Sequence, residues 1–218
     1  MDAAYTAVLN EGVRVYWGYE RYSFNRVVLF GTVFVFGVGA GCHFLYEASG
    51  CNFVVGLLVA VNESVFEHVK LIILSILLFW IFESILPLCL FDSAVVYRVM
   101  YQNVTGAAVA LLCGMLVMVG VYLFTFVVLG FEQLWFDIFL FFLSSFAAQL
   151  SGWMISRYTE PGVLVTMVCG VVLVSAIVCH VYFTDNPLHV DMIFKDPRGF
   201  YGRSRLCGDN HTVPECCS

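Results

Sequence analysis

Asn62-Glu63-Ser64-Val65-Phe66-Glu67-His68-Val69-Lys70 is the densest run of ionisable residues in a chain of which only 12% is charged. It stands between apolar runs at 54–61 and 71–86. A membrane-crossing helix needs about 20 predominantly apolar residues, and the second run, read together with the stretch that opens it, approaches that length. Two carboxylates, an imidazole, an amide and an ammonium group at the mouth of such a helix need partners, because isolated charge at that depth is costly. The stretch therefore predicts a spanning helix with a polar centre at its start.

Composition places the rest of the chain in the same class. Of 218 residues, 61% are hydrophobic and 17% aromatic, with a mean hydropathy of +0.90. Soluble domains use roughly 45–50% apolar residues. The expected fold is all-α: a polytopic transmembrane helix bundle of five to six helices with one re-entrant segment. A net charge of −6 and the lack of a basic run argue against a nucleic-acid partner. The partners expected are the lipid bilayer and other membrane subunits, and the location is an integral membrane whose identity the composition does not specify.

Outward from the opening stretch, the chain divides into a polar N-terminal segment at 1–25, a bundle at 26–184 and a polar, Cys-containing tail at 185–218. Trp17, Tyr19 and Tyr22 suit an interfacial belt. The first spanning helix is expected at 26–48, where Gly37 and Gly41 make a small-residue face that another helix can approach closely. Ser49-Gly50 breaks it, and 51–61 is apolar but too short to cross alone, hence re-entrant. Asn62 or Ser64 caps the second helix, Ser64 and Glu67 having capping-box spacing, and Pro87 stops it. Residues 93–103, helix-like but carrying Arg98, either lie as a separate segment at the interface or lead into a third helix at 104–129, followed by a fourth at 131–156 and a fifth at 162–183. Of nine cysteines, Cys42, Cys89, Cys113, Cys169 and Cys179 lie in apolar runs and should pack as small hydrophobes. Cys51, Cys207, Cys216 and Cys217 are candidates for disulfides in an oxidising compartment, with acylation the alternative for Cys216 and Cys217.

A turn of about 100° per residue puts Glu63, Glu67 and Lys70 on one helix face and Ser64, His68 and Ser75 on another. The first face can neutralise itself through Glu67 and Lys70, an i, i+3 pair. The second needs an outside partner, and His43 and Glu47 at the end of the first helix are the nearest in sequence. If the helix ends meet, His43, Glu47, Glu67 and His68 form a cluster of imidazoles and carboxylates that suits zinc or another divalent metal, with His43, Glu47 and His68 as ligands. His189 and Asp191 in the tail are placed to close it. Joint ligation requires the two imidazole nitrogens to lie within ~5 Å, because Zn–N bonds are only ~2.0–2.1 Å long. A helix dipole also accounts for carboxylates at an N-terminus without any metal. On the fourth helix Asp137, Ser144, Ser145 and Gln149 form a polar stripe that must face the bundle interior, either for interhelical hydrogen bonds or as a wall of the same centre.

His43-Phe44-Leu45-Tyr46-Glu47 with Ser49-Gly50, then Val61-Asn62-Glu63-Ser64-Val65 with Glu67-His68 and Lys70-Leu71, resembles the signature of a small multi-pass membrane family catalogued as a domain of unknown function and found largely in Firmicutes. The resemblance extends to Phe136-Asp137-Ile138 and Gln149, and to Asp196-Pro197 with Gly199, Tyr201 and Gly202 near the end, covering about residues 30–202. It implies a fold and a shared site, to which Asn62, Asp196 and Tyr201 belong, but no assigned activity. Three departures stand out: a segment before Asp196 about one residue longer, a missing threonine in the closing motif, and an added Cys-bearing tail after Gly202. More remotely, Ser64 and His68 match the Ser-x-x-x-His spacing of the CREST membrane hydrolases, such as alkaline ceramidases, which bind zinc. The paired C-terminal histidines of that superfamily are absent, since His180 and His189 are too far apart in sequence.

Three readings of function remain open. The first is a structural or ligand-binding polar centre in a membrane protein, alone or as a subunit of a larger assembly. The second is a metal-dependent intramembrane hydrolase, with His43, His68 and a carboxylate holding zinc and Glu67 or Asp137 as general base. The third is a small transporter or channel lined by Glu63, Glu67 and Asp137.

Overall fold

The structure is a computed structural model that describes residues 24–85, 93–130, 133–197 and 199–202. The N-terminal polar segment, the stop at Pro87 and the cysteines of the terminal tail fall outside those residues.

The first apolar run forms α1 (Asn25–His43), which begins with a π-helical stretch, Asn25–Phe30. It ends five residues earlier than expected, and a single turn, α2 (Leu45–Ala48), follows Phe44. Gly50 and Cys51 then take φ of +67° and +60°, a left-handed pair that reverses the chain. Cys51 is disulfide-bonded, whereas Cys42, Cys113, Cys169 and Cys179 are free. The segment expected to be re-entrant contains α3 (Phe53–Leu58), capped by the Asn52 side chain, which accepts from the amides of Val54 (2.9 Å) and Val55 (3.3 Å). Such a cap contributes about 1 kcal/mol.

The remaining helices are α4 (Val65–Ile85), α5 (Ser93–Leu123) with a π-helical continuation Phe124–Val128, α6 (Leu134–Tyr158), α7 (Val163–Asp185) and the short α8 (Asp191–Phe194). Residues 93–103 are therefore the first turns of α5 rather than a separate segment. Among the described residues there is no strand, only an isolated bridge between Lys195 and Tyr201. α1, α4, α5, α6 and α7 are each long and apolar enough to cross a membrane, which fits a multi-pass membrane protein. Large apolar side chains face outward along α7, with Leu164, Met167 and Val171 all more than half exposed.

α5 and α6 form the most extensive helix pair, α4 lies against α5, and α1 lies against α4 and α6. Val35, Ile72, Ile76, Phe79, Leu111, Leu140 and Ala148 fill the space between them. The expected close approach at Gly37 and Gly41 does not occur among the described residues: a Cβ at either would meet nothing within 4 Å. The tight crossing is instead between α5 and α6. There a Cβ on Gly106 would lie 2.9 Å from the Gly152 carbonyl, and one on Gly152 would lie 2.8 Å from the Gly106 carbonyl.

The five long helices alternate in direction, so their polar ends collect in two places. At one end Arg26 pairs with the buried Glu83 at 2.8 Å, Asn103 donates to the Glu83 carbonyl, and Arg98 meets Glu160. At the other lie the end of α1, the start of α4 and the segment after α7.

Candidate metal centre

The loop into α4 is held from below by a buried ion pair. Lys70 Nζ sits 2.6 Å from Glu67 Oε2 and donates to the carbonyls of Gly56 and Val59, each at 3.1 Å. The same carboxylate oxygen accepts from the Val61 amide at 3.1 Å. Both side chains are almost wholly buried. The i, i+3 pairing expected of Glu67 and Lys70 is thus made, and it also ties down the backbone of 56–61.

The helix start departs from a reciprocal capping box. Ser64 Oγ accepts from the Glu67 amide at 3.4 Å, but the Ser64 amide is taken by Asn62 Oδ1 at 2.8 Å, since the Glu67 side chain turns to Val61. Asn62 Nδ2 donates onward to the Gly202 carbonyl at 2.6 Å, across 140 residues of sequence. The Glu63 amide donates to Asp196 Oδ2 at 2.8 Å. Asn62, Glu63 and Ser64 consequently precede α4 and are not part of it.

That departure decides the composition of the site. Off the helix, Glu63 leaves the face it would share with Glu67 and turns to the imidazoles. Its Oε1 lies 3.3 Å from His43 Nε2, and its Oε2 lies 3.7 Å from His68 Nε2. The two rings are 5.3 Å apart between centroids. His68 Nδ1 lies 2.9 Å from the Ser64 carbonyl. A carbonyl only accepts, so the proton sits on Nδ1 and leaves the Nε2 lone pair facing Glu63; this is the second-sphere contact that typically fixes a metal-binding histidine. Ligand atoms of His43, Glu63 and His68 all lie within 4.8 Å of one another. Tetrahedral ligation with N/O bonds of ~2.0–2.1 Å would require them to draw in to about 3.4 Å apart. Each of the three is partly exposed. The hydrogen bond from His43, together with its charge, holds the Glu63 carboxyl below the usual carboxylate range, against the opposing effects of burial and of Asp196.

The set expected from spacing differs in its carboxylate. Glu47 is exposed on α2 and lies outside the group, and Glu67 is committed to Lys70 and Val61. Asp137 occupies the first turn of α6 and is half-buried. Ser144 and Ser145 donate to carbonyls of their own helix, Leu140 and Phe141, both at 2.8 Å. Gln149 is fully buried, with neither amide atom hydrogen-bonded among the described residues. Ser144 also donates to Met118 Sδ on α5 at 3.8 Å, so the buried part of the stripe bonds chiefly within its own helix, with one contact across to α5.

The segment after α7 packs on the opposite side of the loop. Phe66 stacks between His180 (4.8 Å) and Phe194 (4.6 Å). In the sequence His180 stood out only as too far from His189 to form a histidine pair, and Phe66 carried no polar signal. His189 is exposed and meets the Tyr201 ring edge-on at 5.0 Å, away from the metal-competent group. The Tyr201 hydroxyl donates to Asp191, which also pairs with Lys195 at 2.9 Å. The Tyr201 bond, then the Lys195 bond, holds Asp191 below its ordinary value, and the Asp191 contacts raise Lys195 and Tyr201. A depressed carboxylate means that this contact is lost only as pH falls through the lowered value. Raised cation and phenol values preserve it until pH rises through theirs.

No match was found among curated proteins or among solved structures. Residues 19–203 match one family across most of the chain, taking in both the His43–His68 region and the tail that reaches it, and the protein belongs to that Family of unknown function (DUF6512).

Proposed function

We propose that the protein is a bilayer-embedded binder of one divalent metal ion, zinc foremost, held by His43 Nε2, His68 Nε2 and the Glu63 carboxylate. The observation that carries this reading is the convergence of those three ligand atoms within 4.8 Å, with His68 oriented by the Ser64 carbonyl. Two imidazoles and a carboxylate suit zinc, and three protein ligands leave a fourth position for water or another ligand. The site lies at the ends of two membrane-length helices, so a lipid bilayer is the surrounding partner, and an integral membrane is the location.

A metal-dependent hydrolase is the second reading, favoured by the open fourth position. Glu67 is engaged by Lys70 and Val61, which leaves Asp137 as the candidate base among the residues singled out by sequence. A channel or transporter reading has less support, because Glu67 is held inside an ion pair.

Elemental analysis and competitive zinc titration of the detergent-purified protein test the proposal. One zinc per chain is expected, lost in His43→Ala or His68→Ala, and weakened by at least an order of magnitude in Glu63→Gln. Glu47→Gln should bind as the unaltered chain does. Failure of the unaltered chain to bind zinc at neutral pH would sink the reading, and a loss of affinity in Glu47→Gln equal to that in Glu63→Gln would return the carboxylate assignment to the helical-spacing set.

A further inference from the structure

We infer that Asp196 is a positioning residue for the metal ligand Glu63, and that the segment after α7 is thereby coupled to metal occupancy. This rests on the metal reading above. Glu63 stands outside α4, so no helical hydrogen bond holds its backbone. The restraint comes from the Asp196 carboxylate, 133 residues away, accepting its amide at 2.8 Å. Asp196 is buried, and its own backbone is fixed: its amide donates to the Phe200 carbonyl and its carbonyl accepts from Gly199, both at 2.8 Å. The adjoining residue of the loop is held by the same segment, since Asn62 Nδ2 donates to the Gly202 carbonyl at 2.6 Å. Phe194, stacked on Phe66, seats that segment against α4. Gly202, at φ +60°, has room only for glycine, since a Cβ there would meet the Thr184 carbonyl at 2.7 Å.

The consequence is a reciprocal one. Fixing the Glu63 backbone keeps its side chain between His43 and His68; a metal drawing on that side chain holds the backbone, and with it the tail, in place. Linkage requires that each favour the other by the same factor.

The experiment is zinc titration of the full chain in detergent for the unaltered protein, Asp196→Leu and Asp196→Asn, together with amide hydrogen exchange over 194–202 with and without zinc chloride. Asp196→Leu removes the acceptor at similar volume and is expected to lower zinc affinity roughly 10–100-fold, the usual effect of losing an outer partner of a ligand. Asp196→Asn keeps an acceptor oxygen and should restore most of the affinity. Zinc should slow exchange over 194–202 in the unaltered chain and leave it unchanged in His68→Ala. Undiminished zinc affinity in a folded Asp196→Leu variant overturns the inference while leaving the metal reading intact. If that variant does not fold, the exchange experiment on the unaltered chain decides, and a tail indifferent to bound zinc overturns the inference. A chain that binds no zinc at all overturns the metal reading itself, and the inference with it.

Discussion

Replacing Lys70 with methionine is expected to cost about 3–5 kcal/mol of folding stability, the usual consequence of removing one partner from a buried ion pair. The Glu67 carboxylate is 1% exposed and would be left in the bundle without its cation. The cost extends beyond the pair, because the ammonium group also binds the Gly56 and Val59 carbonyls, and those acceptors would lose their donor. A buried acceptor left unsatisfied costs about 1–3 kcal/mol by itself. Glu67→Gln in the same chain should recover much of the loss, since it removes the stranded charge while keeping an oxygen for the Val61 amide. Unfolding of the detergent-solubilised variants by heat or by denaturing surfactant measures both effects. A single Lys70→Met variant as stable as the unaltered chain would contradict the account, and so would a double variant worse than the single. Because Lys70 ties down the loop that presents Glu63, zinc affinity should weaken in Lys70→Met as well.

The spanning helices were legible because their signal is local: enough consecutive apolar residues must form a helix whatever surrounds them. Their ends were less so. Helical periodicity grouped Glu63 with Glu67 and Lys70, which presumes that the helix already includes Glu63. Whether it does depends on Asp196, which accepts from the Glu63 amide, and on Gly202, whose carbonyl accepts from the Asn62 side chain, both more than 130 residues away and encoded in no periodicity. Once Glu63 is off the helix, the two-faced reading of the stretch gains a new boundary. Glu67 and Lys70 neutralise one another as expected, while Glu63 becomes the partner that His68 required. His43 was legible as that partner's neighbour from its place one short segment upstream. Glu47 was expected beside it at the end of the first helix, but α1 ends at His43 and Glu47 stands on the separate turn α2. The stripe on α6 shows the same limit: spacing placed Ser144, Ser145 and Gln149 on an interior face, and burial agrees, but both hydroxyls bond carbonyls of their own helix, Ser144 alone reaches across to Met118, and the Gln149 amide has no partner among the described residues.

The other large effect is expected at Gly152, where leucine should wedge α5 from α6. Small residues matter where helix backbones touch, and spacing alone cannot tell which glycines do so: Gly37 and Gly41 fit the motif but have open surroundings, whereas Gly106 and Gly152, on separate helices, approach each other's carbonyls. A Cβ on Gly152 would lie 2.6 Å from the Trp80 ring, 2.8 Å from the Ala110 Cβ and 2.8 Å from the Gly106 carbonyl. The ring could swing aside, but a neighbouring backbone cannot, so the helices themselves must part. Overpacking of a core costs about 1–3 kcal/mol where side chains can yield, and a clash with backbone should reach or exceed the top of that range. Gly170→Leu on α7 is the matched control, since nothing lies within 4 Å of its Cβ position, and its stability should change by no more than about 0.5 kcal/mol. Thermal unfolding of the two variants separates a packing effect from a general intolerance of leucine in these helices. Equal losses in both variants would mean that a general intolerance of leucine, not the approach of α5 to α6, sets the requirement for glycine.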